Sequence, residues 1–379
     1  MRVSRAVLVA AIVLTTWALA GDAHAYPQFQ LDREATCTGC HVSPAGGGIL
    51  NENGLNVAQS MAMLESAPEF FYGKIPTPKW LTLGGDLRSA AGYMHSPTNV
   101  LTYFPMQIEA YANATFSQFT IHANVGYRPP QKGNEAATTV WSREHYVMWQ
   151  QKPGETEGVY ARLGRFLPVY GLRLAEHPAY TRRFGPTPLY AESYGAHVAL
   201  IKRHYEGHVT AFLHDPLIDT VDHANGAMAY VEVRPTERFA VGAQGMVKRT
   251  VDDTQFGGGV TTKLHVPAAK LLVQGELQYT NQLIDTSAFN KSGGAPRKLI
   301  AYLMGTISPK DSLLIDVGLG HYDSNLLVKH LDRDCIDINV HVFLDSHLEL
   351  IWTNRYEALS FGKGGPASGY SLLQIHYRL

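Results

Sequence analysis
The chain has 379 residues, with 32 Lys+Arg against 33 Asp+Glu and a formal net charge of −1. That balance excludes a nucleic-acid footprint and any strong electrostatic pull towards an anionic membrane surface. Charged residues make up only 17%, against about 25% in ordinary soluble domains, and three cysteines, two of them within five residues, cannot form a disulfide framework.

The first element reads as an export signal. Arg2 and Arg5 form a positive n-region, Ala6 to Ala20 an apolar stretch, and Ala23-His24-Ala25 a small-x-small cleavage site. The apolar stretch is shorter than the ~20 residues a spanning helix needs, so residues 1–25 are expected to be removed. Residues 26–64 follow as a Cys/Gly/His-rich segment with a short helical run, and residues 65–79 as a linker punctuated by Pro68, Pro76 and Pro78.

From residue 80 to the C-terminus the pattern changes to a period of two. In Phe119-Thr120-Ile121-His122-Ala123-Asn124-Val125-Gly126-Tyr127-Arg128 one phase is apolar and the other polar or Gly, and the same holds in 271–280 and 336–344. Such alternation predicts strands with an apolar medium on one face and water on the other. Sixteen candidates follow: 80–95, 101–116, 118–128, 141–151, 158–166, 190–201, 204–215, 224–234, 238–248, 257–265, 270–283, 298–307, 311–323, 333–344, 347–358 and 370–379. Their connections alternate between long and short. The long set includes 129–140, 167–189 and 284–297, and the short set Ser117, Lys202-Arg203, Pro235-Thr236-Glu237, Ser308-Pro309-Lys310 and Asp345-Ser346. An even strand count with one long-looped and one short-turned end predicts a mainly β fold, an antiparallel transmembrane β-barrel of about sixteen strands in the outer-membrane style. Closure leaves no strand edge unpaired in lipid. The alternative, an exported soluble sandwich, requires an apolar inner core shared between two sheets. Of the long connections, Leu167 to Leu189 is the longest and is rich in Arg, Tyr and Pro, which suits either an inward-folded constriction or a plain external loop.

Chemistry concentrates in Cys37-Thr38-Gly39-Cys40-His41. Two thiols at this spacing can add across both vinyl groups of one haem, and the adjacent His then falls under the iron as proximal ligand. A thioredoxin-like reading lacks its βαβ context, and a zinc site lacks a second ligand pair. The motif therefore predicts one covalently bound haem c, held by Cys37 and Cys40 and ligated by His41, in a small α-helical monohaem cytochrome c segment. For the sixth position, no other His lies between His41 and residue 79, while Met61 and Met63 sit on the short helix at 55–64. A thioether ligand is the leaning, with a lumen His or an open position left as alternatives.

Ala25-Tyr26-Pro27-Gln28-Phe29, then CxxCH, then Pro44 and Leu50-Asn51-Glu52-Asn53-Gly54 leading into a barrel, resembles the fused monohaem cytochrome–porins of bacterial outer membranes. The close similarity covers about the first forty mature residues. Departures are Gly46-Gly47-Gly48 before Leu50, and Leu55-Asn56-Val57 where that family tends to carry a basic-x-aromatic run. The resemblance implies an outer-membrane location and electron transfer through the haem, between an extracellular donor such as Fe(II) and a periplasmic carrier, as an Fe(II):cytochrome c oxidoreductase. Outward delivery to an external acceptor, and a transport porin with a redox-sensitive haem plug, stand as alternatives. The haem segment is expected in the lumen or on the periplasmic side. Porin-like barrels often associate as trimers, so a homotrimer is left open.

Polar-phase His122, His204, His208, His341, His347 and His376, with Glu206, Asp337 and Glu349, are expected to be solvated lumen residues. Cys335 shares their phase and is expected to be an unpaired wall residue. His/Asp groups at 214–223 and 321–334 have a composition suited to Fe(II), but their spacing fixes no geometry.

Overall fold
The computed structural model describes residues 36–379 apart from 96–97, 128–139, 177, 215–223, 250–253, 283–295 and 361–366. The signal segment, Tyr26-Pro27-Gln28-Phe29 and most of the loop groups at 129–140, 215–223 and 284–297 lie outside the described residues.

Among the described residues, seventeen strand segments join into one sheet that closes on itself. They are β1 (Leu81–His95), β2 (Asn99–Phe116), β3 (Phe119–Tyr127), β4 (Val140–Trp141), β5 (His145–Gln150), β6 (Gly158–Phe166), β7 (Ser193–Lys202), β8 (Tyr205–Leu213) and β9 (Asn225–Thr236). The rest are β10 (Phe239–Arg249), β11 (Thr254–Val266), β12 (Leu271–Gln282), β13 (Arg297–Lys310), β14 (Leu313–Asp323), β15 (Asp332–Phe343), β16 (Leu348–Leu359) and β17 (Ser368–Arg378). Every pairing is antiparallel, and β1 closes on β17 with Leu87 opposite Tyr377 and Ala91 opposite Leu373. Both β4 and β5 pair with β3. They are two halves of one barrel strand, so the barrel has sixteen.

The break between them has a local cause. Ser142-Arg143-Glu144 leaves the ladder so that Arg143 can reach Glu109 at 3.0 Å and Glu192 at 2.5 Å in the lumen. The carbonyls freed there are taken by Arg165, 2.8 Å from Ser142 O, and Asn124 Oδ1 accepts the Glu144 N–H at 2.9 Å. A second irregularity lies opposite Arg88/Ser89 in β1, where Pro105 of β2 sits at a register shift. Proline has no N–H for a ladder, and a bulge is where a strand tolerates it.

Burial runs opposite to a soluble protein. Along β3, Phe119, Ile121 and Val125 are 51, 51 and 53% exposed, while Thr120, His122 and Asn124 are 5, 4 and 7% exposed. Apolar side chains outside and polar ones inside exclude the sandwich and match a barrel that meets hydrocarbon on its exterior. Outward-facing Trp80, Phe116, Phe119, Tyr205 and Phe239 cluster at the short-turn rim, with Trp80 and Phe116 stacked at 5.6 Å. This is the placement of an interfacial aromatic girdle.

The lumen is not simply water-lined, which corrects the expectation for most of the polar phase. His122, His208, His341, His347, His376, Glu206, Asp337 and Glu349 are buried, and only His204 is exposed. Two inserts cover them. One is the chain before β1. The other is the 167–189 connection, which folds inwards and packs Leu172, Leu174, Ala179 and Tyr180 against Ile300, Tyr302, Met304 and Cys335 of the wall. Its short helix, Tyr180–Arg183, lies against β12, β13 and β14, across the lumen from its root after β6. The inward-folded reading of this loop is the one observed.

Candidate functional site
Cys37–His41 forms one tight helical turn, with the N–H of His41 donating to Cys37 O at 2.9 Å and that of Cys40 at 3.2 Å. Positions i, i+3 and i+4 of such a turn face the same way, so both thiols and the imidazole point together. The residues after the turn hold it in place. Helix α1 (Glu52–Met61) is capped by Asn51, whose Oδ1 accepts the Gly54 N–H at 2.9 Å. Asn51 Nδ2 donates to Thr38 O at 2.8 Å and Asn53 Nδ2 to Gly39 O at 2.9 Å. His41 and Leu50 form an isolated bridge. Gly54 lets the helix touch the turn, because a Cβ there would stand 2.2 Å from Cys40 O. Gly54→Ala should therefore lever α1 off the motif, at the upper end of the ~0.5–3 kcal/mol typical of single substitutions. Limited proteolysis should then cut within 36–64 faster than in the parent protein, and unchanged cutting would refute the close fit.

This folded segment is a plug. Thr38 Oγ1 donates to Thr156 O at 2.6 Å in the β5–β6 turn, and Arg162 Nη1 of β6 donates to Ser43 Oγ at 3.1 Å. On another side Val57 and Met61 pack on Leu314 of β14 and Phe343 of β15. The exit follows the short-turn rim: the Met63 and Leu64 N–H groups donate to Phe343 O and Leu344 O, each at 3.0 Å, and Ser66 pairs with Ser346 at 2.7 Å. The plug thus occupies the short-turn end of the barrel, and the expected linker of 65–79 follows the same rim, where Tyr72 lies against His347.

Between plug, wall and constriction loop lies a cavity of about 570 Å³ lined by Cys37, Cys40, His41 and Met61. Four of the five residues singled out in the sequence meet there. Met63 does not: it is 59% exposed and off the cavity, whereas Met61 is 2% exposed and within it. His122 and His376 also line the space, as do Arg173 and Arg182 from the constriction loop. Burial pushes the Cys37 thiol up and lowers His41 to about 4, with Arg378 adding to the latter. The imidazole is therefore neutral, the state in which it ligates metals. His41 Nδ1 is buried without a hydrogen-bond partner. No side chain crowds Gly47 and Gly48, where a Cβ would meet nothing within 4 Å.

Of the loop groups suited to a metal, His321, Asp332 and Asp334 do come together, with His321 Nδ1 2.8 Å from Asp334 Oδ1. Cys335 is buried on the lumen wall as expected, its Sγ 3.9 Å from Asp337 Oδ2. Sequence reasoning missed the buried charges that organise the lumen, chiefly Arg162, Arg234, Lys263, Asp316 and Arg355. Charged residues on the polar phase of a strand were the available signal.

No protein-family model matches the chain, and no curated protein matches it in sequence. Structural comparison does find counterparts. Outer-membrane OmpT of Vibrio cholerae superposes with a TM-score of 0.57 at 14% identity, covering 81% of this chain and all of that one. An anion-selective porin from Comamonas acidovorans gives 0.56 at 11%, covering 79% and 99%. OprB of Pseudomonas putida gives 0.57 at 10%, covering 79% and 94%. The fold is porin-like. Identities this low speak for the sixteen-stranded barrel and not for its cargo.

Proposed function
We propose that the chain is an outer-membrane barrel of porin type that carries one haem c in its lumen cavity and relays electrons between the two faces of the membrane. The observation that carries this reading is the meeting of both thiols of the CxxCH motif and its imidazole on one cavity inside the barrel. The residues fit the group. The two thiols supply the thioether sites, the neutral His41 supplies a ligand, and a cavity of about 570 Å³ lies within the ~300–1,000 Å³ range of cofactor pockets.

The apolar band of an outer-membrane barrel is about 25 Å tall, an insulating gap for a single electron step. When bound, haem c supplies reversible one-electron chemistry partway across that gap. The chain's own residues do the rest. Cys37 and Cys40 would anchor the group through thioethers, His41 would ligate its iron, and Met61, on the same cavity, would offer a thioether as a further ligand. Arg173 and Arg182 offer guanidinium forks to carboxylates. The plug at the short-turn face is the docking side for a periplasmic carrier, and the long-loop face is the side of an external partner such as Fe(II).

Optical spectra and the midpoint potential of the full-length protein in detergent test this reading, with Fe(II) then added to the oxidised form. A high potential with fast reduction by Fe(II) supports inward electron flow, and a low potential with no reduction supports outward delivery. A thioether ligand raises the potential. Met61→Ala should therefore lower it by more than about 59 mV, one decade of a one-electron equilibrium, while Met63→Ala leaves it unchanged. Equal effects of the two substitutions would remove Met61 from the iron.

A second reading draws on the porin counterparts: a transport barrel in which the haem segment is a redox-sensitive gate. It requires bilayer conductance that changes between oxidised and reduced protein. Conductance independent of redox state argues for the relay.

A further inference from the structure
The lumen holds a second cluster that the haem reading leaves unused. Asp316 of β14 and His341 of β15 are buried and face inwards, and Glu176 descends onto them from the constriction loop. One ligand atom from each of the three lies within 4.8 Å of the others. His341 is already oriented: its Nε2 is 3.1 Å from Asp316 Oδ2, and its Nδ1 is 2.8 Å from Glu349 Oε1. Thr306 Oγ1 donates to Asp316 Oδ1 at 2.7 Å, leaving Oδ2 on the side of the cluster.

Glu176 is the anomaly. The residue is half-buried, but its Oε2 is shielded from solvent and has no hydrogen-bond partner. A buried carboxylate without a partner is expensive and is relieved either by a proton or by a cation. Two carboxylates and an imidazole on one spot, with a third carboxylate ordering the imidazole from behind, follow the pattern of a metal-ligating His and its outer partner.

We infer that Glu176, Asp316 and His341 form a binding site for a divalent first-row transition cation, with Glu349 orienting His341. Mixed carboxylate and imidazole donors suit Mn(II), Fe(II) and Zn(II) better than thiophilic ions. Three ligand atoms sharing one cation evenly at about 2.1 Å stand at most about 3.6 Å apart. The observed set, within 4.8 Å, therefore draws in by up to about 1.2 Å on binding. The site lies close to the plug. Leu314 and Phe343, which pack on Met61, are each two residues from a ligand along the same strand face, a step of about 7 Å. Binding does not depend on the haem reading, and it gives the constriction loop a reason to reach the far wall.

The test is a Mn(II) titration of the full-length protein in detergent, followed by electron paramagnetic resonance, with Zn(II) as competitor. One tight site per chain is expected, displaced by Zn(II). Glu176→Gln and Asp316→Asn should each weaken it at least about tenfold. His321→Ala, which removes the separate His321/Asp332/Asp334 group, should leave it intact. Glu176 is on a loop, and gel migration of unheated protein reports whether each variant keeps a folded barrel. Binding that persists in Glu176→Gln but disappears in His321→Ala overturns the proposal. So does failure to bind either Mn(II) or Zn(II), which would leave a proton as what Glu176 holds. Replacing Cys37 and Cys40 with serine should not alter the titration, so a failed haem reading and a failed metal site remain distinguishable.

Discussion

Protein in which Cys37 and Cys40 are both serine, exported by cells able to assemble haem c, should fold as a barrel and keep no haem after denaturation. The parent chain should keep one. The thioether is the only attachment that survives unfolding, so the expected change is complete loss and not a fractional one. Barrel formation should be unaffected, because the strand ladder and the buried ion pairs of the wall run through other residues. Arg234 binds Glu206 at 3.2 Å and Lys263 binds Glu232 at 2.7 Å without any help from the plug thiols. A single Cys37→Ser change should leave one thioether at Cys40, visible as a shifted absorption band of the denatured chain. Parent protein without covalent haem would end the relay reading, and the gated-plug reading with it, leaving a porin-like barrel with a protein plug.

The barrel was legible because lipid imposes a rule with few exceptions. Outward side chains in the lipid band are predominantly apolar and backbone groups there are paired, so Ile336, Ile338, Val340 and Val342 mark the exterior of β15 without any knowledge of the interior. The CxxCH motif was legible for a similar reason, since its chemistry fixes the spacing. The interior obeys weaker rules. A polar phase is satisfied by water, by ion pairs or by an inserted segment, and these look alike in sequence. His208 reads as a solvated lumen residue, yet it is buried against His197 at 3.1 Å and Glu206 at 3.3 Å, because plug and loop displace the water. Nor does helical spacing separate Met61 from Met63. The chain leaves α1 at Ala62 in an extended conformation, and that turn sends one side chain inwards and the other out. The break at Ser142-Arg143-Glu144 was hidden too, since its cause, Glu109 and Glu192, lies in other elements.

The inward loop supplies the other large expected effect. Arg355 of β16 grips Asp337 with two nitrogens, at 2.6 and 2.7 Å, and its third donates to Pro178 O of the loop at 2.5 Å. Its guanidinium also lies 5.4 Å from the Tyr180 ring. One side chain therefore neutralises a buried carboxylate and pins the loop to the wall. Arg355→Met should cost about 3–5 kcal/mol, the penalty for stranding one partner of a buried pair, and should release the loop. Trypsin cleavage after Arg182 and Arg183 should then be rapid, where the parent loop resists. Adding Asp337→Leu should recover most of the stability, because an apolar replacement of both partners removes the stranded charge. It should not restore protease resistance, since the hydrogen bond to Pro178 stays lost. Conductance should remain low in both variants, because residues 36–64 still fill the short-turn end. If the double variant regains resistance to trypsin, Arg355 acts only through Asp337 and the packing of Leu172, Leu174 and Tyr180 holds the loop unaided. If conductance rises with loop release alone, the constriction loop and not the plug is the barrier, and the gated-transport reading gains what the electron relay loses.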